Sequence, residues 1–505
     1  MSEILLHYKR PDPTTWVYLS SFLTIGLYFV FHRFWSLRNL DLVMLILLAP
    51  GLLIVHEGRR RQLVERELAN VEAAIEKRLQ LTASVTGEAA ADQTVDRESS
   101  DGASAAGGSV ESVAAIEPAE SATDRSPIER LRGDRFTAHE VEFCGFGWLL
   151  AVQVLVLVRL LVDPLMVRRP LLDPNLTSGG LLFIGVWLFI FMMANVITST
   201  PRMQVEQGPQ LGPGYSLMNM LPAIPTRPAL EALGAPGELE VADGDELPRA
   251  PYVELARVLA IASHLAIVIG IISIGHRHFG NARAGVGSAT LYLLVPYTAQ
   301  MTGRVDHALP AALLVWAILC YRRPLAAGLF LGAAAGLVYY PLFLLPLWFS
   351  FYRQLGIGRF AIGVVAALSI MMALLVVDGS LPLGNHLMRM FGLMLPVMHD
   401  LQGVWGLGWE PIYRLPLLVG FLILSGFFAV WPAQKNLGTL ISYSAALMVA
   451  AQFWHAYGGG LYLAWFLPLL LLTIFRPNLE DRVAVKVIDS NRPAPSRKPT
   501  VEGVV

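Results

Sequence analysis

The chain has 505 residues, of which 54% are hydrophobic and 15% are charged, and its formal net charge at pH 7 is −1. A soluble domain typically carries roughly 25% charged residues, so this composition argues against a soluble protein. The balanced charge gives no general attraction for nucleic acid, and we expect no nucleic-acid partner. The two cysteines are too few for a disulfide framework or a cysteine metal cluster. We expect no metal and no cofactor.

Long apolar runs recur along the chain. Residues 40–55, 143–162 and 360–377 are each close to the ~20 residues that a helix needs to cross a hydrocarbon core of about 30 Å. Backbone groups in that core find no water, so each run must close its hydrogen bonds internally as a helix. The sequence predicts an all-α polytopic membrane protein with about 11–13 transmembrane helices, multi-pass in a bacterial-type cytoplasmic membrane. The predicted spans cover residues 15–31, 40–55, 143–162, 181–197, 252–275, 286–301, 308–321, 325–338, 341–351, 360–377, 412–430, 437–454 and 461–475.

Shifts in composition divide the chain into segments. The predicted segments are two transmembrane helices (1–56), a charged amphipathic helix (57–80), a disordered acidic Ala/Ser/Gly linker (81–135), a transmembrane helix pair (136–200), a Pro/Gly-rich loop (201–251), a transmembrane core (252–476) and a polar tail (477–505). The linker is called disordered because it lacks the apolar content to offset its chain entropy. Residues 58–80 place apolar side chains on one helical stripe. That stripe predicts pairing with another helix, as in a coiled coil, or contact with lipid headgroups, and a solvated helix fits as well.

Lysine and arginine predict the topology, because short basic loops stay cytoplasmic. The basic connections alternate along the C-terminal half, and the predicted cytoplasmic set contains Arg283, Arg323, Arg353, Lys435 and Arg476. The predicted outward set contains Asp306, Tyr339, Tyr340, residues 378–411 and residues 455–460. In the N-terminal half the same topology places residues 59–61 on the outward side and residues 168–169 on the cytoplasmic side. A crossing miscounted before residue 252 is the alternative explanation.

The segment 292–351 carries the most specific pattern. Asp306 and His307 begin a short apolar span after the Gly303-Arg304 turn. An arginine-rich turn follows, and then glycines repeat at four-residue spacing, which predicts a small face for close helix packing. The ridge consists of Gly328, Gly332 and Gly336, and an apolar helix starting at Pro341 comes after it.

This order resembles the polytopic C-type (GT-C) glycosyltransferases. Ala327-Gly328-Leu329, Gly332 and the run from Pro341 to Pro346 match the rhythm of an "AGLxxGxxxG"-like helix followed by a "PLxLLP" helix. The resemblance implies a GT-C-like layout and sugar transfer from a polyprenyl-phosphate-linked donor at the extracytoplasmic face. Two features depart from it. Tyr339-Tyr340 stand where those enzymes often carry a lysine, and the carboxylate expected in the first large outward loop has its nearest equivalents in a short loop.

The candidate site residues are chosen for two reasons: they match the positions that the resemblance implies, and charged side chains in or near hydrocarbon are costly and therefore often functional. In such an enzyme a carboxylate deprotonates the acceptor hydroxyl, while cationic and hydrogen-bonding groups hold the departing phosphate. The candidate catalytic residues are Asp306, Asp163 and Asp173. The candidate substrate-binding residues are Arg304, His307, Tyr339, Tyr340, Arg389, His399, Asp400 and Glu410. We expect Asp306 either to face a hydrated cleft or to pair with Arg304.

A non-enzymatic membrane protein is the alternative function. It would be a transporter, or an assembly partner that acts through residues 58–80. A transporter should show two similar halves with paired broken helices, and we find no convincing internal repeat. In either case the expected partners include membrane lipids. His264, deep in a predicted span, indicates an interhelical hydrogen bond or a proton relay.

Overall fold

A computed structural model of the chain describes residues 13–62, 137–166, 172–197, 250–378 and 401–477, together with positions 65, 69, 77 and 221. The predicted linker (81–135), nearly all of the loop 201–251 and nearly all of the tail 477–505 lie outside these residues. The chain divides into two compact units: Met1–Leu53 with Phe143–Val505, and Ile54–Glu142.

The described residues are almost entirely helical, which confirms the predicted all-α fold. In chain order the helices are α1 (Pro13–Tyr28), α2 (Leu37–Gln62), α3 (Ala138–Val162), α4 (Ser178–Ile197), α5 (Ala250–Arg277), α6 (Ala282–Leu294), α7 (Pro296–Gln300), α8 (Val305–Leu319), α9 (Pro324–Leu337), α10 (Leu345–Phe351), α11 (Ile357–Asp378), α12 (Arg414–Val430), α13 (Leu437–Trp454) and α14 (Leu467–Phe475). Two short parallel strands, β1 (Gln402–Gly403) and β2 (Tyr457–Gly459), pair with each other. Single 3-10 turns at Phe31–Arg33, Asp163–Leu165, Tyr340–Leu344, Val404–Gly406, Pro411–Tyr413 and Leu463–Trp465 complete the described elements.

Six of the helices in the described residues are long and apolar enough to cross a membrane, by length and composition. They are Leu37–Gln62, Ala138–Leu165, Ser178–Ile197, Pro251–Arg277, Pro411–Val430 and Leu437–Trp454. The structure therefore supports a multi-pass membrane protein. The total of about 11–13 crossings stays a prediction.

Several predicted spans are shorter or broken in the structure. The span predicted at 286–301 splits into α6 and α7, because Pro296 lacks an amide hydrogen and cannot continue the helix. Helix α9 has 14 residues, so it is roughly 21 Å long and shorter than a bilayer core of about 30 Å. Such short helices need neighbours that cover their polar ends.

Helices α9 and α10 run in opposite directions and are joined through the 3-10 turn at Tyr340–Leu344. The Tyr340 ring packs against Trp465, whose indole Nε1 donates to the carbonyl of Asp306 near the start of α8. The Tyr352 hydroxyl donates to the carbonyl of Tyr321, just beyond the end of α8, at 2.6 Å. The chain therefore reverses at Tyr340 and runs back along α8.

The glycine ridge of α9 packs directly against the backbone of α11. A Cβ at Gly332 would lie 2.8 Å from the carbonyl oxygen of Val364, and one at Gly328 would overlap the carbonyl of Phe360. Gly363 of α11 faces α9 in the same way, against the carbonyl of Leu325. Small residues on both helices allow this close approach, and the ridge therefore faces protein.

Helix α14 separates two ends of the first unit, here named the Asp306 end and the Arg476 end. Trp465, just before α14, bonds to Asp306, whereas Arg476, just after α14, bonds to Asp163. Since α14 has nine residues, the two ends are at least roughly 14 Å apart along it.

The loops predicted to share one side of a membrane gather at the same end. At the Asp306 end, Tyr340 contacts Trp465, and β1 pairs with β2. At the Arg476 end, Gly438 at the start of α13 abuts the Arg476 guanidinium. Lys435, in the same turn, donates from Nζ to the Ser350 hydroxyl at 2.9 Å. Which end faces the cytoplasm stays a prediction.

Each of the N-terminal helices α1, α2 and α3 has one terminus at the Arg476 end. Helix α1 ends beside Phe475, where the Tyr28 and Phe475 rings meet edge to face at 5.9 Å. Helix α3 passes Gly460, whose carbonyl accepts from Gln153 Nε2 at 2.7 Å, and finishes at Asp163 beside Arg476. Helix α2 begins at the Arg476 end. Asp41, near its start, forms an ion pair with Arg159, and Arg159 also pairs with Asp163. These contacts bring one end of each of α1, α2 and α3 to the Arg476 end, and the number of crossings before residue 252 stays a prediction.

The second unit contains the end of α2 and the start of α3. Glu142, whose side chain is nearly buried, accepts hydrogen bonds from Arg59 Nε at 3.1 Å and from Gln62 Nε2 at 2.7 Å. Described positions 58–62, 65, 69 and 77 are helical, in agreement with the predicted amphipathic helix. Its pairing with another helix or with lipid headgroups stays a prediction.

We predict that Gly332→Leu destabilises the protein, because the added side chain must push α9 away from the α11 backbone. Overpacking of this kind typically costs ~1–3 kcal/mol. The matched control is Gly426→Leu in α12, where a Cβ meets nothing within 4 Å. Thermal unfolding in detergent should show a lower Tm for Gly332→Leu alone. Equal Tm values for the two variants would contradict the packing described here.

Candidate functional site

A buried ion pair lies at the start of α8. Arg304 immediately precedes the helix and Asp306 lies in its first turn, where a carboxylate also interacts favourably with the helix dipole. Arg304 donates from Nε to Oδ1 at 3.0 Å and from Nη2 to Oδ2 at 2.9 Å. This two-pronged geometry is the strong form of an arginine–carboxylate pair. Of the two predicted alternatives for Asp306, the structure shows pairing with Arg304.

The two members of the pair differ in exposure. The Asp306 side chain is 2% exposed and the Arg304 side chain is 26% exposed. Both carboxylate oxygens accept from the guanidinium, so neither is well placed to take a proton from a substrate. The partly exposed member that reaches the surface is the cation.

His307 extends this cluster into the core. Its Nε2 lies 3.6 Å from Asp306 Oδ2, and its Nδ1 shares a hydrogen bond with the Tyr297 hydroxyl of α7. The imidazole ring also stacks on Tyr462 with 4.5 Å between centroids. Helix α7, helix α8 and the 3-10 turn at Leu463–Trp465 therefore fix the carboxylate together.

An aromatic wall, made of Tyr340, His455, Tyr462 and Trp465, continues from His307. Its rings stack pairwise, with centroids 4.9 Å apart for Tyr340 and His455, and 4.3 Å apart for Tyr462 and Trp465. The Tyr339 hydroxyl donates to the Tyr340 hydroxyl at 2.9 Å, and Tyr339 is only partly buried. The predicted residues His307, Tyr339 and Tyr340 thus belong to one cluster with Asp306.

Glutamine side chains and close glycine contacts hold the loop that carries this wall. Gln452 Oε1 accepts from the amides of Gly460 and Tyr462 at 3.3 Å each. Gly403 has a φ of +70°, and a Cβ there would lie 2.7 Å from the Cα of Gly458. Only glycine fits such a position comfortably, so β1 and β2 can meet at this point.

Arg414 lies behind the wall and is buried at the start of α12. It donates from Nε at 3.2 Å and from Nη2 at 3.0 Å to the carbonyl of Trp454. Burial, together with the nearby Arg414 and His307, lowers the pKa of His455 to about 3. His455 is therefore neutral at physiological pH and adds no positive charge beside Arg414.

Tyr297, His455, Tyr462 and Trp465 are cluster members that the sequence reasoning missed. They come from segments far apart in the chain and are joined only by the fold. One signal was present in the sequence, because residues 454–466 place six aromatic or histidine side chains around three consecutive glycines at the end of a span.

The structure does not bring the three candidate catalytic carboxylates together. Asp163 is buried at the Arg476 end, where it accepts from Arg476 Nη2 and, at 3.0 Å, from Arg159 Nη1. Asp173 is exposed at that same end, with Oδ2 3.9 Å from Nη1 of Arg283. Both are remote from Asp306, so they cannot act on the same substrate atoms.

The remaining candidates divide between described and undescribed positions. Glu410 is exposed in the loop before α12. Its neighbour Trp409 stacks on Phe143 at 6.0 Å. Arg389, His399 and Asp400 lie outside the described residues.

Asp163 belongs to a separate buried ion network. Arg159 bridges the two carboxylates, with Nε 2.7 Å from Asp41 Oδ1 and Nη1 3.0 Å from Asp163 Oδ1. Arg476 adds a second guanidinium, so two positive and two negative charges balance. Gly438 is needed here because a Cβ would overlap the Arg476 guanidinium. This network joins the N-terminal helices α2 and α3 to the residue that follows α14.

His264 makes an interhelical bond rather than a chain of proton carriers in the described residues. Its Nδ1 bonds to the Tyr292 hydroxyl at 2.9 Å and its Nε2 to the carbonyl of Thr302 at 3.1 Å. Both ring nitrogens therefore have fixed partners on neighbouring elements.

Across the described ranges, no group of three or more His, Cys, Asp or Glu side chains is arranged to hold a metal ion. No protein-family model, curated protein or solved structure matches the chain. A functional assignment must therefore depend on the geometry of the cluster and on the sequence pattern around it.

We predict that Asp306→Asn destabilises the protein by ~3–5 kcal/mol, the usual cost of removing one partner from a buried ion pair. Arg304→Gln should do the same, and the double variant should cost clearly less than the sum of the two. The control is Glu254→Gln, which removes a pair with Arg257 in which the glutamate is 67% exposed, and should cost under about 1 kcal/mol. Denaturant unfolding in detergent gives all four values. Additive losses for Asp306 and Arg304 would contradict the pairing.

Proposed function

We propose that this chain is a multi-pass membrane protein that transfers a sugar from a polyprenyl-phosphate-linked donor at its Asp306 end. The observation that carries the proposal is the orientation of Arg304, which Asp306 fixes while about a quarter of the Arg304 side chain (26%) stays exposed. The GT-C-like order of residues 292–351 supports the same activity, because Arg304 lies within that segment.

Membrane insertion is supported by the surfaces of the long helices. Helix α12 exposes large apolar side chains on most of its circumference, including Ile423, Phe427 and Val430, the last of which is 78% exposed. A soluble protein rarely exposes apolar surface on that scale. In contact with lipid the same surface carries no penalty, so a lipid environment suits α12 and the similarly exposed α4.

Arg304 suits the phosphate of such a donor. A guanidinium binds phosphate through a planar fork of donors, and a cation held in place stabilises the charge that develops on the departing phosphate. Asp306 acts here as a positioning residue, because both its oxygens are occupied by Arg304. This assignment differs from the expected role of Asp306 as a base.

The transfer itself needs a group that accepts the acceptor's proton. A carboxylate takes the hydroxyl proton, the hydroxyl oxygen attacks the anomeric carbon of the sugar, and the bond from that carbon to the phosphate oxygen breaks. Glu410 is the exposed carboxylate of the described residues in the loop before α12, and it is our candidate for this role.

An assembly partner without enzymatic activity is the second candidate. Asp306 and Asp163 both form ion pairs with arginines, and purely structural carboxylates adopt the same arrangement. This observation favours the second candidate. Residues 58–80 would then provide the surface that pairs with another helix.

Arg304→Lys separates the two candidates. Lysine keeps the positive charge beside Asp306 but loses the planar fork, so we expect the variant to insert and unfold almost as the unmodified protein does. We expect its transfer of radiolabelled sugar from a polyprenyl-phosphate donor to fall at least about tenfold, the effect of losing roughly 1.4 kcal/mol of transition-state stabilisation. The assay uses reconstituted vesicles and a panel of lipid-linked sugars.

The matched control is Arg359→Lys, an exposed arginine in α11 that should leave transfer unchanged. Glu410→Gln should abolish transfer without changing the Tm. No transfer by the unmodified protein with any donor would overturn the enzyme proposal in favour of the assembly partner. Equal transfer by the Arg304 and Arg359 variants would remove Arg304 from the site.

A further inference from the structure

A cavity lies at the Arg476 end, on the opposite side of the first unit from Asp306. Its volume is about 610 Å³, which falls within the ~300–1,000 Å³ typical of ligand pockets. The turn between α1 and α2 forms one wall and the loop before α4 forms the other. The polar side chains that line the cavity include His32, Arg33, Ser36, Arg38, Asp173 and Asn175.

The first wall is a fixed turn. Asn39 is buried and its Nδ2 donates to the carbonyls of Val30, Arg33 and Phe34 at 2.9, 3.0 and 3.2 Å, while its Oδ1 accepts from the amide of Val30 at 3.1 Å. One side chain thus holds the backbone of residues 30–34 in place. The cavity wall is therefore preformed.

The second wall is joined to the end of α1. Asn175 donates from Nδ2 to the carbonyls of Gly26 and Phe29 at 3.1 and 3.2 Å, and its amide donates to Leu27 at 2.7 Å. Arg38 spans the two walls, because its Nη2 donates to the carbonyl of Tyr28 at 2.9 Å and also to that of Asp173.

Positive charge predominates around the cavity. Arg33 is exposed at its edge beside His32, and Arg38 is partly exposed in its wall. The one carboxylate in the lining, Asp173, faces Arg283 with 3.9 Å between Oδ2 and Nη1. Arg283 thus offsets the acidic group, and the cavity favours an anion.

Exposed aromatic rings surround the cations. Trp35 is 94% exposed, and Phe31 and Phe34 are also largely exposed. Phe34 packs edge to face against Trp35 at 5.7 Å and against Phe29 at 5.4 Å. Aromatic rings beside cations at the end of an apolar helix are typical of the boundary between hydrocarbon and water.

We propose that this cavity binds the phosphate headgroup of an anionic membrane lipid. The phosphate would lie among Arg33, Arg38 and His32, and the rings of Phe31, Phe34 and Trp35 would hold the turn at the interface. The charge pattern predicts that this end faces the cytoplasm, whose leaflet is rich in anionic lipid in many membranes. The proposal rests on the proposed membrane insertion and is independent of sugar transfer.

The experiment measures the thermal unfolding of the full-length protein in detergent with added lipid. The three additions are phosphatidylglycerol, phosphatidylcholine and inorganic phosphate. A ligand that binds only the folded state raises the Tm. We expect a rise with phosphatidylglycerol that the other two additions do not produce.

Arg33→Gln should weaken the apparent affinity for phosphatidylglycerol about fivefold, the usual effect of one cation near an anionic lipid surface. Arg359→Gln is the control, since it removes an exposed arginine outside the cavity lining. Equal weakening by both variants would show general attraction to basic surfaces and would overturn the proposal. A rise with inorganic phosphate equal to that with phosphatidylglycerol would also overturn it, because the site would then recognise phosphate without lipid. Extraction of the unmodified protein by alkaline carbonate would contradict membrane insertion itself, whatever the outcome of the transfer assay.

Discussion

The arrangement of this protein depends on the neutralisation of buried charge. An ionised side chain in a low-dielectric interior is costly unless an opposite charge and hydrogen bonds accompany it. Asp306 meets this requirement through the fork of Arg304, and Asp163 meets it through Arg159 and Arg476. Both clusters lie at the ends of apolar helices, and α14 connects one end to the other. Each cluster thereby fixes several helices that the sequence separates widely.

The two clusters differ in ways that suggest different roles. The Asp163 network is almost entirely buried, with at most 10% of any side chain exposed, and joins α2 and α3 to the end of α14. This is the arrangement expected of a structural ion network. The Asp306 pair has one partly exposed member and borders the aromatic wall. Only the Asp306 cluster therefore presents a cation that a substrate can reach. The proposed sugar transfer is assigned to that end for this reason.

The sequence predicted the parts of the fold that depend on local pattern. Apolar runs located every described helix of the core, and the glycine spacing from Gly328 to Gly336 predicted a close-packed face that proved to lie against α11. Charge alternation predicted two groups of loops, and their described members that make long-range contacts lie at two ends of the first unit, while the side of the membrane that each end faces stays a prediction. The break at Pro296 was harder to predict, because it lies inside a continuous apolar run, whereas the runs on either side of Tyr340 were predicted as separate spans.

The candidate site was only partly predictable. Asp306 and Arg304 are two residues apart, so local reasoning found the pair. One partner of Asp163, Arg159, lies four positions away, but the other, Arg476, lies 313 positions away in the chain, and no local pattern connects it to Asp163. Trp465 and Tyr462 reach Asp306 and His307 only because α14 packs beside α8. Residues that are separated by the whole core need tertiary contacts before they can be assigned to one cluster.

The central claim is that the Asp306 end and the Arg476 end lie on opposite sides of a bilayer. Single cysteines test it most directly, in a background where Cys144 and Cys320 are replaced by alanine. Glu410→Cys and Arg359→Cys place exposed thiols near the two ends, and a membrane-impermeant maleimide is added to intact and to permeabilised cells. We predict that Glu410→Cys reacts in intact cells and that Arg359→Cys reacts only after permeabilisation. The same reactivity at both positions in intact cells would contradict the account, and a reversed pattern would place the proposed site on the cytoplasmic side.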